Sequence, residues 1–500
     1  MAARCGAVTR LSRATLDVAR RDEAVTLPRA LGSGRRTGLL HLGVGAFHRA
    51  HQAVVTEDAM ACAGEDRWGI CGVTQRSATV VGQLRPQDNL YAVLQRGQDG
   101  DTLRVVGSLS EVLFAGDEPR RLEDRFVDPD VEVVTMTVTE KGYRRSGSGG
   151  LDLHDPLVVA DVAGGAPRTA VGQLVRGLQA RSRTSAAPIT VLSCDNVVHN
   201  GAVVQRLVHD FCAALPDAEA EPLGDWVRSS VRFPSSMVDR IVPATTDADR
   251  DDARHLLGLE DRGLVVAEPF LQWVVEDDFA AGRPRWEAAG AQLTGDVTPY
   301  EEMKLRVLNG AHSMLAYLGA LAGHETIAAV VRDEKLAEAA YRLIHDDVLP
   351  TLAGPDGTDL EAYGRQVLDR FANPALRHRT VQVAMDGSQK LPLRLLGTVR
   401  DRIAAGETPL SACRAVAAWM VYVTAGRDRL GRPLPLDDPL AQTLRDAVAG
   451  RAGADTVVDA LLGVREVFDD GLRASTPFRD ALVPQVAELL ASVDGAAAGR

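Results

Sequence analysis

Lys304, Asn309 and His312 sit close together in the stretch YEEMKLRVLNGAHS, residues 300–313, and could share one proton-transfer task. On a regular helix at about 100° per residue they fall within an arc of about 140°. That leaves Met303, Leu305, Val307, Leu308 and Ala311 for packing elsewhere. A lysine suits proton abstraction when burial lowers its pKa towards neutrality, since burial disfavours the ammonium. An asparagine amide can donate to an oxygen that is gaining negative charge. An imidazole can orient a hydroxyl or share the proton. Lysine and asparagine on a helix also commonly face water, and the spacing alone leaves that reading open.

A second group of residues has the pattern of a nucleotide site. Residues 38–42, GLLHL, form a short apolar strand candidate, followed at once by Gly43-Val44-Gly45-Ala46-Phe47-His48 and a helix expected from Arg49 to about Cys62. Strand, glycine turn and helix are the context a dinucleotide fingerprint requires. Gly43 would permit the tight turn, and Gly45 would let the backbone approach a pyrophosphate at the helix N-terminus. His48 stands where the third glycine of GxGxxG belongs, so a plain tight turn also fits. His48 and His51 lack the carboxylate or cysteine companions of a metal site, and no metal is expected. The next strand candidate, 68–73, ends in Thr74-Gln75-Arg76-Ser77 without the acid that usually takes the adenosine ribose hydroxyls. Arg76 could face a 2′-phosphate there, or only solvent. The β-branched run 131–138 fits a buried parallel strand ending in Thr139-Glu140-Lys141-Gly142-Tyr143. This turn is expected beside a nicotinamide, with Glu140 in the cofactor-binding set, and Lys141 is a second possible base.

Further polar clusters follow. The strand candidate 188–193 runs into Cys194-Asp195-Asn196, where Asn196 could supply a second amide or merely cap a turn. Asp239, in FPSSMVDRIVP, could tune Lys304, bind a hydroxyl, or form a surface ion pair. Lys390, in DGSQKLP, could bind a hydroxyl, carboxylate or phosphate, with Arg377, His378 and Arg379 adding positive charge.

Taken together, KxRxLNxxHS, GxGxFxRAHQ, RPQDNLY, SCDNxxxNG, FPSSMVDRIVP and DGSQK resemble the blocks of the mannitol dehydrogenase family of long-chain polyol dehydrogenases. The resemblance implies an α/β N-terminal Rossmann-like domain, a C-terminal all-helical domain and an active site in the cleft between them. It implies Lys304 as the catalytic base, with Asn196, Asn309 and His312 around the reacting oxygens. It adds Phe47 to the cofactor residues and places Lys390 at the substrate end. NAD is the expected cofactor, with NADP left possible by Arg76. The expected reaction interconverts a linear polyol and its 2-ketose, of the mannitol/fructose type. Some relatives carry an arginine eight residues before the lysine of DGSxK. Gln382 stands there now, as in the mannonate (fructuronate) branch, so D-mannonate with fructuronate is an alternative, as is mannitol 1-phosphate with fructose 6-phosphate. An inactive nucleotide-binding sensor is the reading from another class, and the intact Lys304, Asn309 and His312 speak against it. The family implies a monomer or weak homo-oligomer.

The elements that must position these residues can be sketched. A chain of 500 residues exceeds one core. We expect an arm over 1–37 anchored by Leu11, Leu16, Val25 and Leu27, a Rossmann-like domain over 38–296 and a helical domain over 297–500. The net charge of −12 disfavours a nucleic-acid partner. No apolar run is long enough for a bilayer. The cysteines, at Cys5, Cys62, Cys71, Cys194, Cys212 and Cys413, show no paired spacing, which suits reduced thiols in a cytoplasmic protein. Helices are expected over 327–349, 360–370, 411–424, 439–448 and 481–493, with a frayed end from 495.

Overall fold

The computed structural model describes residues 9–19, 23–28 and 36–497, with side chains as far as 495. The chain divides into two compact units, Met1–Val297 and Thr298–Arg500.

The first unit is built on six parallel strands: β1 (Thr37–Leu42), β2 (Gly69–Thr74), β3 (Leu109–Phe114), β4 (Val133–Met136), β5 (Ile189–Ser193) and β6 (Val231–Arg232). Their order across the sheet is 3-2-1-4-5-6, the doubly wound arrangement whose crevice opens where the order reverses, beside β1. Every residue of β1, β2, β4 and β5 is buried, because helices cover both faces of a parallel sheet. The pleat sorts the side chains. Leu40, Leu42, Val134 and Val191 enter one core, while Leu39, Val133 and Leu192 enter the other. The arm packs Leu11 and Leu16 against Leu90, Leu94, Leu103 and Leu257, with Val25 and Leu27 at the rim. Val25–Thr26 adds a parallel strand to the side sheet formed by Tyr91–Gly97 and Gly100–Val106. Cys5 lies outside the described residues; the other five cysteines are free thiols.

Local boundaries differ from expectation in instructive places. The helix after the glycine turn starts earlier and is broken: α1 (Ala46–Ala50) stops at His51, at φ −124° and ψ −91°, and α2 (Gln52–Ala63) restarts there. His51 bonds Gln272 O through Nε2 at 2.9 Å and stacks on Phe47, so a tertiary contact sets the break.

The second unit is helical. Its organising helix is preceded by α3 (Thr298–Met303), passes through a π-helical segment at Lys304–Asn309 and continues as α4 (Gly310–Leu321), every residue of which is buried. Packed on it is α5 (Leu410–Ala425), apolar on nearly all sides, and against that lies α6 (Thr476–Ala497). The expected helix over 327–349 is instead Ile327–Val331, Glu334–Arg342 and a second π segment, Leu343–Val348. A third π segment is Pro392–Leu396. The last helix runs from Thr476 to Ala497, longer at both ends than the expected 481–493, and an unexpected one spans Ala454–Leu462. Among the described residues no helix is long and apolar enough to cross a membrane.

Candidate active site

At the carboxyl end of β1 the chain makes the turn its glycines permit. Gly43 lies at φ +106°, and a Cβ there would stand 2.1 Å from Thr137 O. Only glycine fits, on both conformational and steric grounds. Gly43 N and Val44 N both donate to Val73 O, which ties the turn to the end of β2. Gly45 caps α1, is exposed, and would present a Cβ to nothing nearer than Gly43 O at 3.7 Å. Bare backbone beside the unpaired N–H groups of a helix start is what a pyrophosphate needs, so the turn fits a dinucleotide.

His48, in place of the third glycine, is not exposed to a ligand. Its ring lies flat on that of His41, with centroids 3.4 Å apart and planes 14° apart. His41 pairs with Thr135 Oγ1 at 2.8 Å and Thr137 Oγ1 at 2.9 Å. Burial lowers the His41 pKa to about 3 and that of His48 well below its ordinary value. Arg49 is structural too: its Nε donates to Gly45 O at 3.2 Å, and its guanidinium also meets Gly263 O.

The other cofactor candidates are spread along the carboxyl ends of the strands. Arg76 follows β2 and is exposed. Its neighbour Gln75, which sequence reasoning did not select, has a buried amide whose two polar atoms meet no partner among the described residues. Phe47 is half-buried against His51, and Glu140 is exposed in the turn after β4, as is Lys141. Asn196 is exposed just beyond β5, while Asp239, the last residue of Ser236–Asp239, is only 5% exposed and so is no surface ion pair.

In the second unit the π segment carries Lys304 and Asn309, each 6% exposed, and His312 follows in α4 at 7%. This corrects the regular-helix geometry. A π turn absorbs about one surplus residue, which narrows the expected arc of the three side chains from about 140° to about 60°. Gly310 keeps the segment close to the third π segment: a Cβ there would lie 3.0 Å from Arg394 O. Arg394 in turn donates to Ser313 Oγ at 3.1 Å. The His312 ring stacks on Phe371 with centroids 4.7 Å apart and meets His378 edge-on at 4.8 Å. Burial, then the charges of His378, Arg394, Lys390 and Arg370, hold the His312 pKa well below its usual value. Asn309 Nδ2 and His312 Nε2 are buried without a hydrogen-bond partner among the described residues. Lys390 Nζ reaches Met385 O at 2.5 Å. Arg377 is exposed at φ +46°, and its neighbour His378 is the residue that reaches His312. Sequence reasoning gave no role to Arg370, Phe371 or Arg394, whose proximity to His312 depends on the tertiary fold.

The buried imidazoles predict acid sensitivity. His41, His48 and His312 stay neutral in the folded chain while an unfolded histidine titrates near 6.5. The unfolded state therefore binds the extra protons below that pH. Each such histidine costs about 1.4 kcal/mol of stability per pH unit as pH falls below about 6.5, a window reaching about 3 for His41. Urea midpoints at pH 7.5, 6.0 and 5.0 should fall steadily; equal midpoints would contradict these environments.

A doubly wound sheet with a glycine turn at its reversal, joined to a helical unit bearing a buried lysine, amide and imidazole, defines a dinucleotide-dependent oxidoreductase. Residues 37–288 match the mannitol dehydrogenase Rossmann domain and residues 296–490 the mannitol dehydrogenase C-terminal domain. The chain is 42% identical over 457 residues to the D-mannonate oxidoreductase of Escherichia coli, covering 90% of this chain and 93% of that one. It is 36% identical over 461 residues to the mannitol 2-dehydrogenase of Pyrenophora tritici-repentis, covering 91% and 80%. It superposes on the Pseudomonas fluorescens mannitol 2-dehydrogenase, solved as a ternary complex with NAD and D-mannitol, with a TM-score of 0.85, 36% identity and coverage of 98% and 100%. The chain belongs to the mannitol dehydrogenase family of oxidoreductases.

Proposed function

We propose that this protein is an NAD-dependent dehydrogenase that interconverts a secondary alcohol of a linear polyhydroxy chain and its ketone, with a sugar acid of the mannonate/fructuronate type as substrate. The observation that carries the reading is the pair of orphaned polar atoms, Asn309 Nδ2 and His312 Nε2, buried on the stretch that bears Lys304. Nothing among the described residues satisfies them, and a buried polar atom costs free energy until it is bonded. Adjacent substrate oxygens would bond them, one each.

NAD held at the glycine turn would supply the acceptor for the hydride of the carbinol carbon. Lys304 Nζ takes the hydroxyl proton. Asn309, together with Asn196, donates to the oxygen as it gains charge, and His312 fixes a neighbouring hydroxyl. Gly43 and Gly45 admit the pyrophosphate, and Phe47 and Glu140 belong to the same cofactor surface. Asp239 and Lys390 hold the far hydroxyls, and Arg377 adds charge outside. Losing one such donor costs about 10²–10³-fold in kcat, so Asn309→Ala should fall by about that much with its substrate KM changed less. A kcat within threefold of wild type would remove Asn309 from the mechanism.

The acid is favoured over the neutral polyol by the set of charges facing His312. Arg394, Lys390 and Arg370 are cationic, while burial and then the charge of Lys390 hold His378 below its ordinary pKa and favour its neutral form. Such a field in a water-poor site favours an anionic substrate. Reduction of fructuronate, fructose and fructose 6-phosphate, each with NADH and with NADPH, tests this. Fructuronate with NADH should show the highest kcat/KM, by about tenfold or more, the worth of one charge-assisted contact. Preference for fructose would return the substrate to the mannitol/fructose pair, and preference for NADPH would assign Arg76 to a 2′-phosphate.

A further inference from the structure

Thr139, directly after the strand that ends beside the glycine turn, adopts φ +69° and ψ 158°. That region is essentially reserved for glycine, and a β-branched residue there is strained. Its surroundings hold it in place. Asp195 Oδ1 accepts Thr139 N at 3.0 Å, while Oδ2 accepts Val138 N at 2.9 Å and the Tyr143 hydroxyl at 2.7 Å. Tyr143 accepts in turn from Ser193 Oγ at 2.8 Å. The Asp195 carbonyl is itself fixed by Asn200 Nδ2 at 3.0 Å. Asp195 is 8% exposed, so these bonds face little competition from water.

The peptide whose N–H belongs to Val138 has its carbonyl on Thr137. That carbonyl oxygen closes the space beside Gly43, and Thr137 Oγ1 donates to Gly43 O at 2.8 Å. One carboxylate therefore sets the floor of the glycine turn on one side. On the other it immediately precedes Asn196. We propose that Asp195 is the positioning residue of the dinucleotide site, using the strained Thr139 turn to register the glycine loop against the peptide that carries Asn196. The strain is maintained because a relaxed turn would let the two drift apart. The proposal rests on the dehydrogenase reading above.

Thr139→Gly separates positioning from mere stability. Glycine accepts the observed dihedrals freely, so the thermal midpoint of the cofactor-free protein should stay the same or rise. NADH binding, followed by fluorescence quenching, should nevertheless weaken about fivefold, and kcat should fall about tenfold or more through lost registration. Asp195→Asn, which loses one acceptor for two donors, should weaken NADH about tenfold or more. Its effect should shrink in the Thr139→Gly background, since both act through one turn. A fall in the midpoint of Thr139→Gly, or unchanged NADH binding and kcat at an unchanged midpoint, overturns the proposal, as do additive effects in the double variant. Failure of the wild-type protein to bind NADH at all would instead strike the dehydrogenase reading.

Discussion

Replacing Lys304 by alanine is expected to lower kcat about 10²–10⁴-fold at neutral pH while leaving NADH affinity within twofold. The range is that of a positioned general base. Lys304 is 6% exposed and sits between the buried Met303 and Val307. A water in the vacated space is a far weaker base than an amine, which places the loss towards the upper end. Lys304→Arg should be as inactive as the alanine variant, since a guanidinium keeps the charge but stays protonated and cannot accept a proton. Added methylamine should restore part of the alanine variant's turnover and none of the arginine variant's. If Lys304→Arg turned over at close to the wild-type rate, the residue would be serving by charge alone and the base would have to be sought elsewhere, with Lys141 the first candidate.

Gly43→Ala should be the most damaging change to the first unit. The new methyl would stand 2.1 Å from Thr137 O at a φ of +106°, so sterics and backbone strain add. We expect a loss of about 3 kcal/mol or more in unfolding free energy, and NADH binding too weak to saturate. Gly45→Ala makes the informative contrast. Its φ is −86°, and its Cβ would meet only Gly43 O at 3.7 Å. Its stability should change little, yet a methyl on that exposed backbone should obstruct the pyrophosphate and weaken NADH. Equal, mild behaviour of both variants would mean that the loop is an ordinary turn.

Much of this was legible from residue order alone. The all-buried strands announce themselves as short apolar runs, and the turn that follows β1 carries Gly43, whose positive φ is a local demand. Lys304, Asn309 and His312 could be picked out because they lie in one stretch. What escaped notice depends on contacts between distant segments. The break at His51 comes from a bond to Gln272. His48 is acceptable in a glycine position because His41, on a strand, offers a flat face. The cations facing His312 converge from two separate stretches, Arg370 on one and Lys390 with Arg394 on the other, of which the Lys390 motif had a recognisable pattern. Asp195 has no distinguishing pattern beside the more conspicuous Asn196, and its hold on Thr139 has no local signal. The π segment is the sharpest case: its residues have ordinary helical character, and a reading at regular spacing puts Lys304 out of line with its partners.

That segment also stores a dependence on residue count. The flanking helices α3 and α4 would remain in phase with each other if one residue between Lys304 and Asn309 were deleted, because the surplus the wide turn absorbs is itself about one residue. The helix would become more regular, and the amine, amide and imidazole would stay within about the same 60° arc, since four regular steps turn through nearly the same angle as five wide ones. Relaxing the segment to regular geometry with every residue kept would instead turn α4 by about 100° against α3 and carry the amide and the imidazole away from the amine. The five-residue interval between lysine and asparagine and the wide turn are therefore a matched pair, and neither can change without the other.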